Sequence, residues 1–352
     1  MSTESTPAAT AGYVALGDSF SAGQGSQVSA ADLIASSGAC ERYTTAFPNV
    51  WAAQYLRHVS LTSVACSGAT VPQVGAVQLP ALSATTSLVT ITIGGNDAGF
   101  VPVVQACVQQ TSCQVAIQQS AAFMKDQLPA QLAALYQGIK TYAPHAHVVV
   151  LGYPNLFGTG PCTVVGQYLS APVRQQLDEL NAQLSSTIAT VAKASQVSYV
   201  DARHIFTGHG VCGTEPWING VGSDPASLLH PNTAGQRAYA KLLTRSVAPG
   251  MIGMPPRLST TNPRSVSTVI DRYVSKRFAA VAGTRPLSYS IVKGSLPQGL
   301  KFDAKTGQIT GIPRTTGYFT FTWSATNAFG TATAEYTWTI THKNGPYPGT
   351  GH

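Results

Sequence analysis

Tyr13-Val14-Ala15-Leu16-Gly17 runs directly into Asp18-Ser19-Phe20-Ser21 near the start of this 352-residue chain. A short apolar run closed by glycine reads as a buried strand, and the glycine lets the backbone turn sharply at its carboxyl end. Residues 61–66, 88–94, 147–152 and 197–201 read the same way. Helical periods lie between them. One covers residues 47–57, with Pro48 in its first turn, and a second covers 115–142. A third covers 171–194 and sets Leu177, Leu180, Leu184 and Ile188 on one face. A last one follows Asn232 or Thr233, either of which can cap it, and runs to about residue 246. Strands alternating with long helices predict a parallel sheet covered on both faces. Ligands of such sheets lie outside the carboxyl ends of the strands, so the chemistry is sought there.

The pattern changes after residue 248. Residues 249–264, with Met-Pro-Pro and Asn-Pro, lack periodicity and read as a linker. Residues 265–342 carry short alternating runs rich in Thr, Tyr, Phe and Trp, at 266–270, 279–282, 287–292, 300–302, 308–310, 318–327 and 332–341. That predicts an all-β sandwich. The division expected is therefore 1–11 as a disordered or added N-terminus, 12–248 as the α/β domain, 249–264 as linker, 265–342 as sandwich and 343–352 as tail.

Charged residues make up only 10% of the chain and hydrophobic ones 44%, which suits a folded protein and excludes a disordered one. The net charge of +7 is diffuse and no basic-aromatic motif accompanies it, so it argues for nearness to anionic surfaces and against nucleic acid. No segment approaches the roughly 20 apolar residues of a membrane span. Six cysteines stand at 40, 66, 107, 113, 162 and 212, with no Cys-x-x-Cys pair. An even number without metal-ribbon spacing reads as a disulfide framework formed in an oxidising compartment, with fifteen pairings open. A mature secreted chain with an added start Met fits the polar, signal-free beginning.

Four short stretches fall at predicted strand ends. Gly17-Asp18-Ser19 presents a hydroxyl. Cys66-Ser67-Gly68-Ala69-Thr70 can expose a glycine N–H. Ile93-Gly94-Gly95-Asn96-Asp97 offers a side-chain amide beside it. His230-Pro231-Asn232 precedes the last helix and offers an imidazole, the side chain suited to taking a proton near neutral pH. Each alone is an ordinary turn. Fixed donors aimed at a developing oxyanion are the largest catalytic contribution in acyl transfer, and a hydroxyl, two donors and a base are its parts list. Of the other histidines, His204 and His209 with Cys212 could mimic a metal cluster but lack a fourth ligand, so no metal is expected.

Taken together and in this order, Ser19, Gly68, Asn96 and His230 resemble the invariant letters of the SGNH (GDSL-type) hydrolase family. The resemblance covers residues 12–247. It implies a flavodoxin-like three-layer α/β/α fold, Ser19 as nucleophile, His230 as base, and an oxyanion hole made by the Ser19 and Gly68 N–H groups with Asn96. The family's commonest ending is Asp-x-x-His, but here Ser227 stands three residues before His230. A secreted bacterial branch of esterases and phospholipases uses a Ser-His dyad, in which a backbone carbonyl holds the imidazole; that maps to Ser227 or Leu228. The same branch implies the pairings Cys40–Cys66, Cys107–Cys113 and Cys162–Cys212, which the expected strand ends accommodate.

The resemblance thus implies a secreted, monomeric serine carboxylic ester hydrolase without cofactor: a lipase, phospholipase A or esterase. The alternatives are a carbohydrate acetylesterase or thioesterase of the same family, and a non-catalytic surface-binding protein. Leu296-Pro297-Gln298-Gly299-Leu300 and Thr306-Gly307-Gln308-Ile309-Thr310-Gly311 resemble the immunoglobulin-like modules appended to bacterial surface proteins and secreted enzymes. That module is expected to be a spacer or to bind a polymer or surface weakly. Loops 22–46, 98–114 and 154–170 are expected to frame the cleft.

Overall fold

The computed structural model describes residues 12–55, 60–158, 162, 165–220, 224–247, 252–258 and 265–343. The expectations for residues 1–11, for the end of the 47–57 helix, for most of the 249–264 linker and for the tail beyond 343 fall outside that set. The chain divides into two units, one of them Gly12–Ile252.

In that unit β1 (Gly12–Gly17), β2 (Ser60–Ser63), β3 (Thr86–Thr92), β4 (His147–Leu151) and β5 (Ser198–Val200) form one sheet in the order β2-β1-β3-β4-β5. Every pairing is parallel. This is the doubly wound order, whose direction reverses between β1 and β3 and opens a crevice there. All residues of β3 are buried and β4 is buried except at His147, as a strand covered on both faces requires.

The helices are α1 (Ser19–Ala22), α2 (Phe47–Tyr55), α3 (Val71–Gln73), α4 (Phe100–Val108), α5 (Cys113–Asp126), α6 (Leu128–Tyr142), α7 (Ala171–Ala194) and α8 (Thr233–Ser246). α7 has the predicted bounds and buries Leu177, Leu180, Leu184 and Ile188; each such side chain contributes about 1.5–3 kcal/mol by leaving water. α8 is capped by Asn232, whose side chain accepts from the N–H groups of Ala234 and Gly235.

Two helical expectations need correction. The single helix over 115–142 is two helices, α5 and α6. Pro129 is the reason: it has no N–H to donate, its ring crowds the carbonyl one turn back, and Gln127 leaves helical geometry. The expected loop 98–114 contains α4. Pro102 is compatible with it, because it sits in the first turn, where an N–H would have no partner. The cysteines pair as the resemblance implies, 40–66, 107–113 and 162–212.

Among its described residues the other unit holds strands and no helix. β6 (Arg257–Leu258), β7 (Ser265–Val269), β8 (Val274–Arg277), β9 (Ala280–Ala282), β10 (Ser288–Gly294), β11 (Leu300–Asp303), β12 (Gln308–Gly311), β13 (Gly317–Asn327) and β14 (Gly330–Thr341) build three small sheets: β10-β13-β14-β7, β11-β12-β8 and β6-β9. Phe278, Tyr289, Ile309, Phe321, Trp323, Tyr336, Trp338 and Ile340 fill its core. β6 lies inside the expected linker, and β8 was not anticipated because Val-Ser-Lys-Arg offers a single apolar residue to the alternation.

Candidate active site

Ser19 follows β1 by two residues. Gly17 makes the turn with φ +122°, and a Cβ there would lie 2.3 Å from the Thr92 carbonyl oxygen, so only glycine fits. The fully buried Gln78 side chain locks this glycine from both sides, accepting its N–H at 2.8 Å and donating to its carbonyl at 2.9 Å. Asp18 then caps α1, its carboxylate accepting the Phe20 N–H at 3.1 Å. Ser19 is the first residue of that helix and is buried.

His230 reaches the same point from 211 residues away. Its Nε2 lies 2.8 Å from Ser19 Oγ. Its Nδ1 lies 3.0 Å from the Leu228 carbonyl oxygen. A carbonyl only accepts, so the proton belongs on Nδ1 and Nε2 is left to accept from the serine. Of the two carbonyls expected to hold the ring, Leu228 does so, while the Ser227 carbonyl accepts the His230 backbone N–H at 3.1 Å. Leu229 adopts φ +62°, a costly conformation for a branched residue, and the turn it makes brings the imidazole round to the serine. Asn219 brackets this turn, exchanging backbone hydrogen bonds with Leu229 and His230. Its side chain donates to the Gly25 carbonyl at 2.8 Å. Asp224 is not part of the site: its carboxylate accepts the Ala226 N–H, capping the short turn Pro225–Ser227.

Burial pushes the imidazole pKa down to about 4, against the pull of the Leu228 and Ser227 backbone, which favours the protonated form. Phe20 packs against it with ring centroids 5.5 Å apart.

The donors come from the ends of β2 and β3. Cys66 extends the pairing of β2, giving its N–H to the Gly17 carbonyl at 2.9 Å, and the Ser67 N–H goes to the Cys40 carbonyl at 3.1 Å. The next residue, Gly68, has φ +78° and lines the same cleft as Ser19 and His230. Asn96 also lines it. One hydrogen of its amide goes to the Ala69 carbonyl at 3.0 Å, and the amide carries a second that this bond does not use. Asp97 secures the arrangement by accepting the Val71 N–H.

Three buried polar residues packed beneath the site escaped the sequence reading. Tyr153, just past β4, donates its hydroxyl to Asp18 and accepts the Gly95 N–H at 3.0 Å. Thr92 donates to the same carboxylate at 2.7 Å. Burial pushes Asp18 up to about 6 while these donors hold it down, and burial beside Asp18 pushes the Tyr153 phenol far above its usual range. Gln236 of α8, fully buried, donates to the Phe20 carbonyl at 3.1 Å and accepts the Phe47 N–H at 2.8 Å. None has a sequence signature; each is a lone polar residue whose partner lies far off along the chain.

The cleft has a volume of about 470 Å³. Apolar side chains dominate its walls: Phe100, Val101 and Val104 of α4, with Leu156, Leu184 and Leu228. Among the described residues no three His, Cys, Asp or Glu side chains gather as a metal site. The His204, His209 and Cys212 grouping dissolves, since Cys212 is disulfide-bonded and His209 stacks on Trp217 at 3.6 Å. Among the described residues no helix is long and apolar enough to cross a membrane.

The family described as GDSL-like Lipase/Acylhydrolase family matches residues 15–238, and the one described as Putative Ig domain matches residues 249–341. Lipase 1 of Streptomyces coelicolor is 41% identical over 233 residues, covering 65% of this chain and 84% of that protein. A Streptomyces rimosus lipase is 38% identical over 234 residues, covering 66% and 85%. The solved structure of the extracellular lipase from Streptomyces rimosus aligns with TM-score 0.63 at 36% identity, covering 67% of this chain and 99% of that one. That of phospholipase A1 from Streptomyces albidoflavus NA297 aligns with TM-score 0.63 at 36% identity, covering 68% and 100%. The chain belongs to the GDSL-like lipase/acylhydrolase family and is a carboxylic ester hydrolase carrying an Ig-like module.

Proposed function

We propose that this protein is a secreted lipase or phospholipase A that works through an acyl-enzyme on Ser19. The 2.8 Å contact between Ser19 Oγ and His230 Nε2, with Nδ1 held by a carbonyl, carries the reading. His230 takes the serine proton as Oγ attacks the ester carbonyl. The negative charge moves to the carbonyl oxygen and meets the N–H groups of Ser19 and Gly68 and the amide of Asn96. His230 then protonates the departing alcohol, and a water deprotonated by the same imidazole releases the acid. The chemistry draws on these residues alone.

The apolar walls supplied by α4, Leu156, Leu184 and Leu228 favour an acyl chain over a sugar acetate. Three disulfides, and a relative named an extracellular lipase, support secretion. The Ig-like unit acts as a spacer or weak surface binder on a monomeric enzyme. Fluorophosphonate labelling followed by peptide mass spectrometry tests the mechanism: adduct on Ser19 is expected, and folded protein that stays unlabelled refutes it. Chain-length profiling on p-nitrophenyl esters, then product analysis on mixed phospholipids and triacylglycerols, tests the substrate. Activity confined to sugar acetates would transfer the assignment to an acetylesterase.

A further inference from the structure

We propose that Tyr153 is a positioning residue for ester hydrolysis, its hydroxyl bridging the Asp18 carboxylate and the Gly95 N–H so that the separation of Ser19 from Asn96 is fixed. The inference rests on the roles given above to Ser19 and Asn96. Those two residues sit on turns leaving different strands. Thr92, the last residue of β3, already ties Asp18 to that strand, its hydroxyl donating to the carboxylate at 2.7 Å and its carbonyl accepting the Asp18 N–H at 3.0 Å, and the Tyr153 hydroxyl carries the tie past the strand end to Gly95. Asp18 is bonded to Ser19 in the chain, and Gly95 to Asn96. One oxygen atom therefore ties the residue before the nucleophile to the residue before the oxyanion donor.

The tyrosine is packed on several sides. Its side chain is 4% exposed, and its ring meets Phe20 edge-on with centroids 5.0 Å apart. Ser185 donates to its carbonyl at 3.3 Å, and Asn181 donates to the Pro154 carbonyl at 2.6 Å, so α7 grips the backbone on which it stands. A Cβ on Gly95 would come within 3.2 Å of both the ring carbon Cζ and the hydroxyl oxygen, closer than most packed atoms tolerate. Gly95 has no positive φ, so its lack of a side chain answers to the tyrosine and not to the backbone. The phenol donates to the Asp18 carboxylate and accepts from the Gly95 amide, a pair of duties that phenylalanine cannot perform.

Two substitutions strike the bridge from opposite sides. Tyr153→Phe deletes the oxygen, and Gly95→Ala keeps the oxygen but pushes the ring and its hydroxyl away from the Gly95 backbone. With p-nitrophenyl butyrate, Tyr153→Phe is expected to lower kcat by 10- to 100-fold at nearly constant KM. The rate of fluorophosphonate inactivation should fall by a similar factor, and Gly95→Ala should show the same split more weakly. Changes in Tm alone, with kcat of both variants at the wild-type level well below Tm, would overturn the proposal by making the tyrosine a stabilising group only. If Tyr153→Phe does not fold, Gly95→Ala decides by the same criterion, and failure of both to fold also overturns it. Wild-type protein that resists labelling would instead refute the Ser19 mechanism, so the two failures are distinguishable.

Discussion

Acidification should separate this enzyme from one whose base titrates at the ordinary histidine value. An imidazole is a base only when neutral, and burial holds that of His230 neutral down to about pH 4. At pH 5 a histidine with midpoint 6.5 is only about 3% neutral, whereas one with midpoint 4 is about 90% neutral, a difference of roughly 30-fold in active enzyme. We therefore expect kcat/KM on p-nitrophenyl butyrate to hold within about twofold from pH 7 to 5 and to halve near pH 4. Asp18 titrates in the same interval, since burial raises it to about 6. The two groups act on stability with opposite sign. His230 contributes fully above 6.5, and its contribution is lost as pH falls through about 4. Asp18 contributes fully below its unfolded value near 3.8, and loses that contribution as pH rises through about 6. The assay is initial rate from pH 3.5 to 8, quenched into alkali, with tryptophan fluorescence to verify folding at each point and Asp18→Asn as a control. An acid midpoint between 6 and 7 in both proteins would refute the reasoning, because it would assign the limb to an ordinary imidazole.

Asn96→Ala should lower kcat by about 10²–10³, the cost of one oxyanion donor, with KM for short esters little changed, as measured by steady-state kinetics. Asp224→Ala should keep kcat within a few-fold, since Leu228 and not Asp224 holds the imidazole; a thousand-fold loss would restore a Ser-His-Asp triad. The Cys40→Ser/Cys66→Ser pair should lose about 3.5 kcal/mol by chain entropy for a separation of 26 residues. Urea unfolding checks that figure, and kcat should fall with it because Cys66 anchors the turn to Gly68.

The features legible in the sequence are those that stand at strand ends. Gly17, Gly68 and Gly94 punctuate apolar runs, and the chemistry of an open α/β sheet must lie just beyond them, so Ser19, Asn96 and their glycines announced themselves. His230 was legible because a capping Asn232 dated the start of the last helix. The polar scaffold beneath was not. Tyr153 and Asp18 are 135 residues apart, and Gln236 and Phe20 are 216 apart. A hydrogen bond across that distance leaves no period, no spacing and no composition to read. Local signals also misled at Pro129, where the same residue opens one helix and breaks another according to its place in the turn.

The oxygen that holds His230 belongs to the main chain at Leu228, and every amino acid carries one there. An aspartate in that role would be a fixed expense of the design, lost at a single codon change. A peptide carbonyl is immune to such loss as long as the turn through Leu229 persists. Pro225, Ala226 and Leu228, which border the cleft, are thereby released from holding the imidazole with their side chains. Substrate preference on this rim can drift by ordinary substitution while the base stays armed.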